Sequence, residues 1–131
     1  MNTLAKFQAE AKEDTMIDMM NIHDKQMRLP AVKHKWISRL IDAKRVLSSL
    51  EGRKMRTIES LVEQMEGEMK VKVSKPQLIE RAKTHSSIVT INERIYEQKS
   101  IIEYLERIEK LFSSMTWDYK NIIELMKLET T

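Results

Sequence analysis

The sequence predicts an all-α protein made mainly of long helices, and three observations carry that prediction. Only two glycines and two prolines stand among 131 residues, too few to turn a chain at every reversal of a β-sandwich or a doubly wound sheet. Aromatics make up 5% of the chain while Lys, Glu, Met, Leu and Ile are abundant, a composition of helix formers. Apolar residues also recur at three- and four-residue steps over two long stretches. With 41% apolar and 33% charged residues, the chain has neither a membrane nor a disordered composition. Its length suits one domain.

From the N-terminus, a short helix is expected over residues 3–12, where Leu4, Phe7 and Ala11 share a face. Asp14 or Thr15 is placed to cap a second short stretch with Met16, Met19 and Met20. Arg28-Leu29-Pro30 then reads as a break, because proline disfavours helix in the residue before it and suits the first turn of a new helix. One long helix is predicted from Ala31 to about Glu66 through Trp36, Leu40, Ala43, Leu47, Leu50, Ile58, Leu61 and Met65, with Gly67 closing it. The stretch 70–76, with Val71, Val73 and Pro76, reads as a loop or a short edge strand.

A second long helix is expected from about Ser87. Ile88, Ile91, Ile95, Ile102, Leu105, Phe112, Met115, Tyr119, Ile122 and Met126 form a heptad-like seam, interrupted by Gln98 and Glu109, with Thr116 able to cap a fresh helix. Two amphipathic helices of this length must pair with each other, and the Ile-rich seam leans toward assembly of several chains. Oligomerisation is therefore assigned to Ile95, Ile102, Leu105, Phe112, Met115, Tyr119, Ile122 and Met126, with a monomeric αα-hairpin as the alternative. The chain divides into residues 1–83, which hold most of the basic groups, and 84–131, which hold the seam.

Net charge is a modest +3, but it is unevenly spread. Residues 33–83 hold thirteen basic and seven acidic groups, whereas residues 84–131 hold six and eight. On a wheel of about 100° per residue, Lys35, Arg39, Arg45, Arg53 and Arg56 fall in a sector of roughly 120° that begins on one flank of the apolar face and wraps round the back. Asp42 is the one acidic residue between 33 and 56 in that sector. A single-sign stripe of this kind suits a phosphate backbone, since each neutralised phosphate releases counterions. Lys44, next to Arg45 in sequence, is added to the nucleic-acid-binding candidates, and Lys70, Lys72 and Lys75 extend the track into the next segment. Lys54 lies inside the apolar sector, where it can snorkel, pair with a carboxylate or fix register. Few aromatics are available to stack bases, so binding is expected to be led by the backbone, weakly sequence-dependent and sensitive to salt.

Catalysis finds little support. The two glycines, Gly52 and Gly67, build neither a P-loop nor a dinucleotide turn. No cysteine is present, so thiolate zinc sites and cysteine nucleophiles are excluded. His23, His34 and His85 are far apart, and Asp14 with Asp18 suits capping better than a metal. No cofactor or metal is expected. The first residues lack an apolar signal core, and no run approaches the ~18 apolar residues of a membrane span.

Several segments are similar to a known family. Lys12-Glu-Asp-Thr-Met-Ile-Asp18, Arg28-Leu-Pro30, His34-Lys-Trp36, then Lys44-Arg45, Glu51, Lys54 and Gly67, resemble the N-terminal half of the UvsY recombination mediators of tailed phages. Ile101-Ile-Glu-Tyr-Leu105 and Met115-Thr-Trp117-Asp-Tyr-Lys120-Asn-Ile122 resemble that family's C-terminal helix. The resemblance implies a ring-like homo-oligomer in the cytoplasm of the infected bacterium. It would bind single-stranded DNA and help a RecA-like recombinase replace single-strand-binding protein, serving recombination, repair and replication. The family's basic DNA-contact step falls at Ile58-Glu59-Ser60-Leu61, where its charges are absent. That moves the expected contact upstream to Arg53, Lys54 and Arg56. The alternative is a non-catalytic helical scaffold or adaptor whose basic face meets an acidic protein.

Overall fold

The structure, a computed structural model, describes residues 2–69 and 72–130. These residues form four helices and no strand: α1 (Thr3–Thr15), α2 (Ile22–Glu68), α3 (Lys75–Lys83) and α4 (Ser86–Thr130). The chain splits into two compact units, Met1–Asp42 with Ile101–Thr131, and Ala43–Ser100. This division cuts across residues 1–83 and 84–131, because α2 and α4 each contribute to both units.

In the first unit, α1 starts where Asn2 Oδ1 accepts the Ala5 amide at 2.7 Å. The turn to α2 is built by Asp18, not by Asp14 or Thr15. Asp18 Oδ1 accepts the Met20 and Asn21 amides at 2.8 and 2.9 Å, and Asn21 Oδ1 accepts the Asp18 amide at 2.8 Å. This is a reciprocal cap that satisfies the first free amides of a helix. No second short helix forms over Met16–Met20.

Helix α2 then runs straight through Pro30, where the sequence predicts a break. An interior proline costs roughly 3 kcal/mol in lost hydrogen bonding and crowding. Ile22 and Leu29 before it and Trp36 after it are all buried, and burying such side chains stabilises by about 1.5–3 kcal/mol each. That anchorage on both sides offsets the proline. Trp36 is the centre of this unit: Phe7 meets it edge-on at 5.8 Å and Phe112 stacks on it at 6.2 Å. Its Nε1–H donates to Asp14 Oδ2 at 3.0 Å. On α4, Ile102, Leu105, Ile108, Phe112, Met115 and Tyr119 are buried. Helix α4 is continuous through residues 113–116, and Thr116 accepts a hydrogen bond from Lys33 Nζ at 2.8 Å instead of capping a new helix.

An ion cluster ties α1 to α2 above this core. Arg39 Nη1 meets Glu10 Oε2 at 2.6 Å, while Lys35 Nζ meets Glu10 Oε1 at 2.9 Å and Asp14 Oδ2 at 2.6 Å. The Arg39 hydrogen bond, with help from Lys35 and against some burial, holds the Glu10 carboxyl below its ordinary 4.5. Burial pulls Lys35 down, but the hydrogen bonds to Asp14 and Glu10 outweigh it and hold the ammonium above its ordinary 10.5.

In the second unit, Ile88, Ile91 and Ile95 of α4 are buried against Leu47, Leu50, Ile58 and Leu61 of α2. Gln98, which interrupts the α4 seam, donates from Nε2 to the Ala43 carbonyl at 2.9 Å, so its polar end is satisfied within the packing. The short helix α3 falls partly where the sequence suggests a loop or strand. Pro76 sits in its first turn, and Leu78 and Ala82 are buried against Val62, with Val73 and Ile79 packed alongside. Gly67 lies inside the last turn of α2 and no glycine has positive φ, so it does not close the helix as a left-handed cap.

A Cβ at Gly67 would meet nothing within 4 Å. Gly67→Ala should therefore stabilise the protein by up to about 1 kcal/mol, seen as a melting point raised by a few degrees. The ion cluster makes a second prediction. A carboxylate held low stabilises the fold above its unfolded value and loses that contribution as pH falls through the folded one. A raised lysine contributes below 10.5 and loses its share as pH rises through its folded value. Glu10→Gln should lower the melting point at neutral pH and flatten its decline below about pH 4.5. An unchanged acid limb would contradict this.

Candidate nucleic-acid interface

The structure distributes the predicted basic stripe unequally. Lys35 and Arg39 are half-buried and committed to Glu10 and Asp14. Their cationic heads also lie over aromatic faces, Arg39 at 4.8 Å and Lys35 at 5.1 Å from the Trp36 ring centre. A cation already neutralised by carboxylates and held on an indole has little left to offer a phosphate. These two side chains tie α1 to α2.

The other predicted cations of α2 belong to the second unit. Lys44, Arg45, Arg53 and Arg56 are exposed, and Lys54 is half-buried. Lys54 makes no ion pair among the described residues, which fits a stem lying along the apolar sector. The Arg56 guanidinium folds back over Gly52: a Cβ there would stand 3.3 Å from Arg56 Nη1. Glycine in mid-helix thus leaves room for that guanidinium to lie against the helix. Lys72 and Lys75 are exposed, but Lys75 shares a groove with Glu59, Glu63 and Glu66, which weakens the local positive potential. Lys70 lies outside the described residues.

Sequence reasoning passes over Arg94. This exposed residue of α4 lines a cleft of about 370 Å³ together with Arg53, Thr57, Ser87, Thr90 and Ile91. A signal for it exists: Arg94 lies three residues after the core position Ile91, beside the seam that pairs with α2. The two arginines come from distant parts of the chain, so no linear stripe links them.

Most of the residues expected to form the oligomerisation seam lie inside the single chain. Ile95 is buried within the second unit, and Ile102, Leu105, Phe112, Met115 and Tyr119 within the first, all inside a single chain. The α4 seam is therefore already covered within one protomer, so these side chains are not on its surface. Burial also pushes the Tyr119 hydroxyl pKa up, with Asp14 and Asp118 adding to the effect. Ile122 and Met126 remain half-exposed. Beyond the seam, Trp117, Leu125 and Leu128 are exposed by 65%, 59% and 71%. They fall within a sector of about 80° on the helix wheel, leaving an apolar strip on the last turns of α4.

Among the described residues no group of three or more His, Cys, Asp or Glu side chains is placed to hold a metal, and no helix is long and apolar enough to cross a membrane. The chain has no match among curated protein sequences. Two crystal structures of the bacteriophage T4 recombination mediator protein UvsY, in lattice types IV and II, share its fold. The first aligns at a TM-score of 0.82 with 13% identity, covering 98% of this chain and 99% of that one. The second aligns at 0.80 with 13% identity over the full length of both. Residues 10–131 match the family described as recombination, repair and ssDNA binding protein UvsY, nearly the whole four-helix chain, and the protein therefore belongs to the UvsY family.

Proposed function

We propose that this chain is a phage recombination mediator. It binds single-stranded DNA as a homo-oligomer and promotes loading of a RecA-like recombinase in place of single-strand-binding protein, in the cytoplasm of the infected cell. The observation that carries this reading is the exposed pair Arg53 and Arg56 on α2, neither of which is ion-paired among the described residues, in a chain of a family described as ssDNA-binding. Lys44, Arg45, Lys54, Lys72 and Lys75, in the same unit, complete the proposed set. Lys70 belongs to this set by sequence alone.

The role is non-catalytic. Cations on an exposed helix face neutralise phosphates and release counterions, so affinity falls steeply as salt rises. A homo-oligomer repeats the basic unit, and one strand engaging several copies gains from the high local concentration of the next site. Such a strand is withdrawn from single-strand-binding protein while its bases, unread by stacking, stay accessible to a recombinase. Assembly uses the apolar strip of Trp117, Leu125 and Leu128 with Ile122 and Met126, since the preceding seam is occupied inside the protomer.

Charge reversal at Arg53 and Arg56 together should weaken binding to an oligo-dT strand more than tenfold and lower the salt slope by about 1.4, at roughly 0.7 per phosphate lost. An unchanged slope would favour the adaptor reading, in which the basic face meets an acidic protein. Assembly is tested separately. Leu125→Asp with Leu128→Asp should reduce the sedimenting mass and leave helix content unchanged, whereas a charge at Leu105 should unfold the chain, as expected of a fully buried core position. Unchanged mass in the first variant would contradict the strip as the interface.

A further inference from the structure

We propose that the cleft between α2 and α4 in the second unit is an anchoring subsite for one internal phosphodiester of the bound strand, gripped by Arg53 and Arg94 together. The proposal rests on the single-strand-binding function and assigns it a specific grip. Three observations carry it.

First, the cleft lining contains two arginines and no carboxylate: Arg53, Thr57, Ser87, Thr90, Ile91 and Arg94. Two other clefts among the described residues differ, one bounded by Glu59, Glu63 and Glu66 and one by Glu106 and Glu109. Second, neither guanidinium forms an ion pair among the described residues, so both keep their full set of donors. Two like charges brought to one cleft repel each other, and a bound anion relieves that repulsion. Third, the other donors around the cleft are already used. Thr57 Oγ1 donates to the Arg53 carbonyl at 2.8 Å and Thr90 Oγ1 to the Ser86 carbonyl at 3.0 Å. His85 Nδ1 accepts the Ser87 amide at 3.2 Å and lies 2.8 Å from Ser87 Oγ. The Ile88 and Val89 amides donate to the His85 carbonyl. The first turn of α4 is thus capped from within, and recognition falls to the two guanidiniums. Arginine suits this task because its planar fork makes paired hydrogen bonds to phosphate oxygens.

A volume of about 370 Å³ admits a phosphodiester with its flanking sugars. Ile91 in the lining offers apolar contact to deoxyribose and nothing that reads a base, so the subsite is indifferent to sequence. It also fixes where the strand crosses between α2 and α4, a point the α2 stripe alone leaves undefined.

The test is a double-mutant cycle on the full-length oligomer, using fluorescent oligo-dT titrated at several salt concentrations. Arg94→Gln should weaken binding about tenfold, the scale of one lost charge-assisted contact, and lower the salt slope by about 0.7. Because both arginines hold one phosphate, Arg53→Gln with Arg94→Gln should lose little more than either alone, whereas Arg56→Gln with Arg94→Gln should lose the product of the two. Arg94→Lys keeps the charge, so it should retain the salt slope while losing part of the affinity, which also guards against a folding defect in Arg94→Gln. Multiplicative losses at Arg53 and Arg94 would place them on separate phosphates and overturn the shared grip. Native affinity in Arg94→Gln alongside weakened Arg53→Gln and Arg56→Gln would remove the subsite and leave single-strand binding standing. Unchanged affinity in all variants would instead fail the binding function itself. A preference for 5′-phosphorylated over 5′-hydroxyl oligo-dT that disappears in Arg94→Gln would overturn the internal phosphodiester in favour of a strand end.

Discussion

The structure depends on the mutual burial of two narrow apolar stripes. Helices α2 and α4 are 47 and 45 residues long, and each carries one apolar sector with charges around the rest. Helices of this kind gain little from intrinsic propensity and are held by tertiary contact along the stripe. In the second unit Ile88, Ile91 and Ile95 meet Leu47, Leu50, Ile58 and Leu61. In the first unit Phe112 stacks on Trp36. Satisfying that constraint within one chain consumes the seam and turns the polar backs of both helices outward, which makes their charges available.

Those outward charges fall into two kinds. Where α1 covers α2, Glu10 and Asp14 neutralise Lys35 and Arg39, and the cations serve the fold. Among the described residues no helix bearing such a carboxylate pair crosses Arg53 and Arg56, and both side chains are exposed. One stripe on a helix wheel thus has two roles, decided by the element that packs against it. Gly52 contributes to the second role by leaving space for the Arg56 head beside the helix axis.

Most of the fold is legible in the sequence because periodicity is a direct record of a buried face. Trp36, Leu40 and Ala43, read as core, are buried, and so is the α4 seam from Ile88 to Tyr119. The family is legible too, from an ordered series of short matches. Local rules mislead where distant packing overrides them. Pro30 predicts a break, but Ile22, Leu29 and Trp36 hold the helix through it. Gly67 predicts a cap, yet α2 keeps helical backbone there. Helix α3 is hidden by the alternation of Val71 and Val73 before Pro76, although Leu78 and Ala82 have helical spacing. The candidate site is the least legible part. A wheel drawn for α2 alone cannot show that Glu10 reaches Arg39 or that Arg94 joins Arg53 at one cleft, because both depend on another helix.

The division of cations is most directly tested by lysine acylation footprinting read by mass spectrometry, with and without saturating oligo-dT. The account predicts that Lys54 and Lys72 react in the free protein and become protected when the strand binds, while Lys35, held by Glu10 and Asp14, reacts slowly and equally in both states. Protection confined to Lys35, or an unchanged pattern at Lys54 and Lys72 under saturating strand, would contradict it.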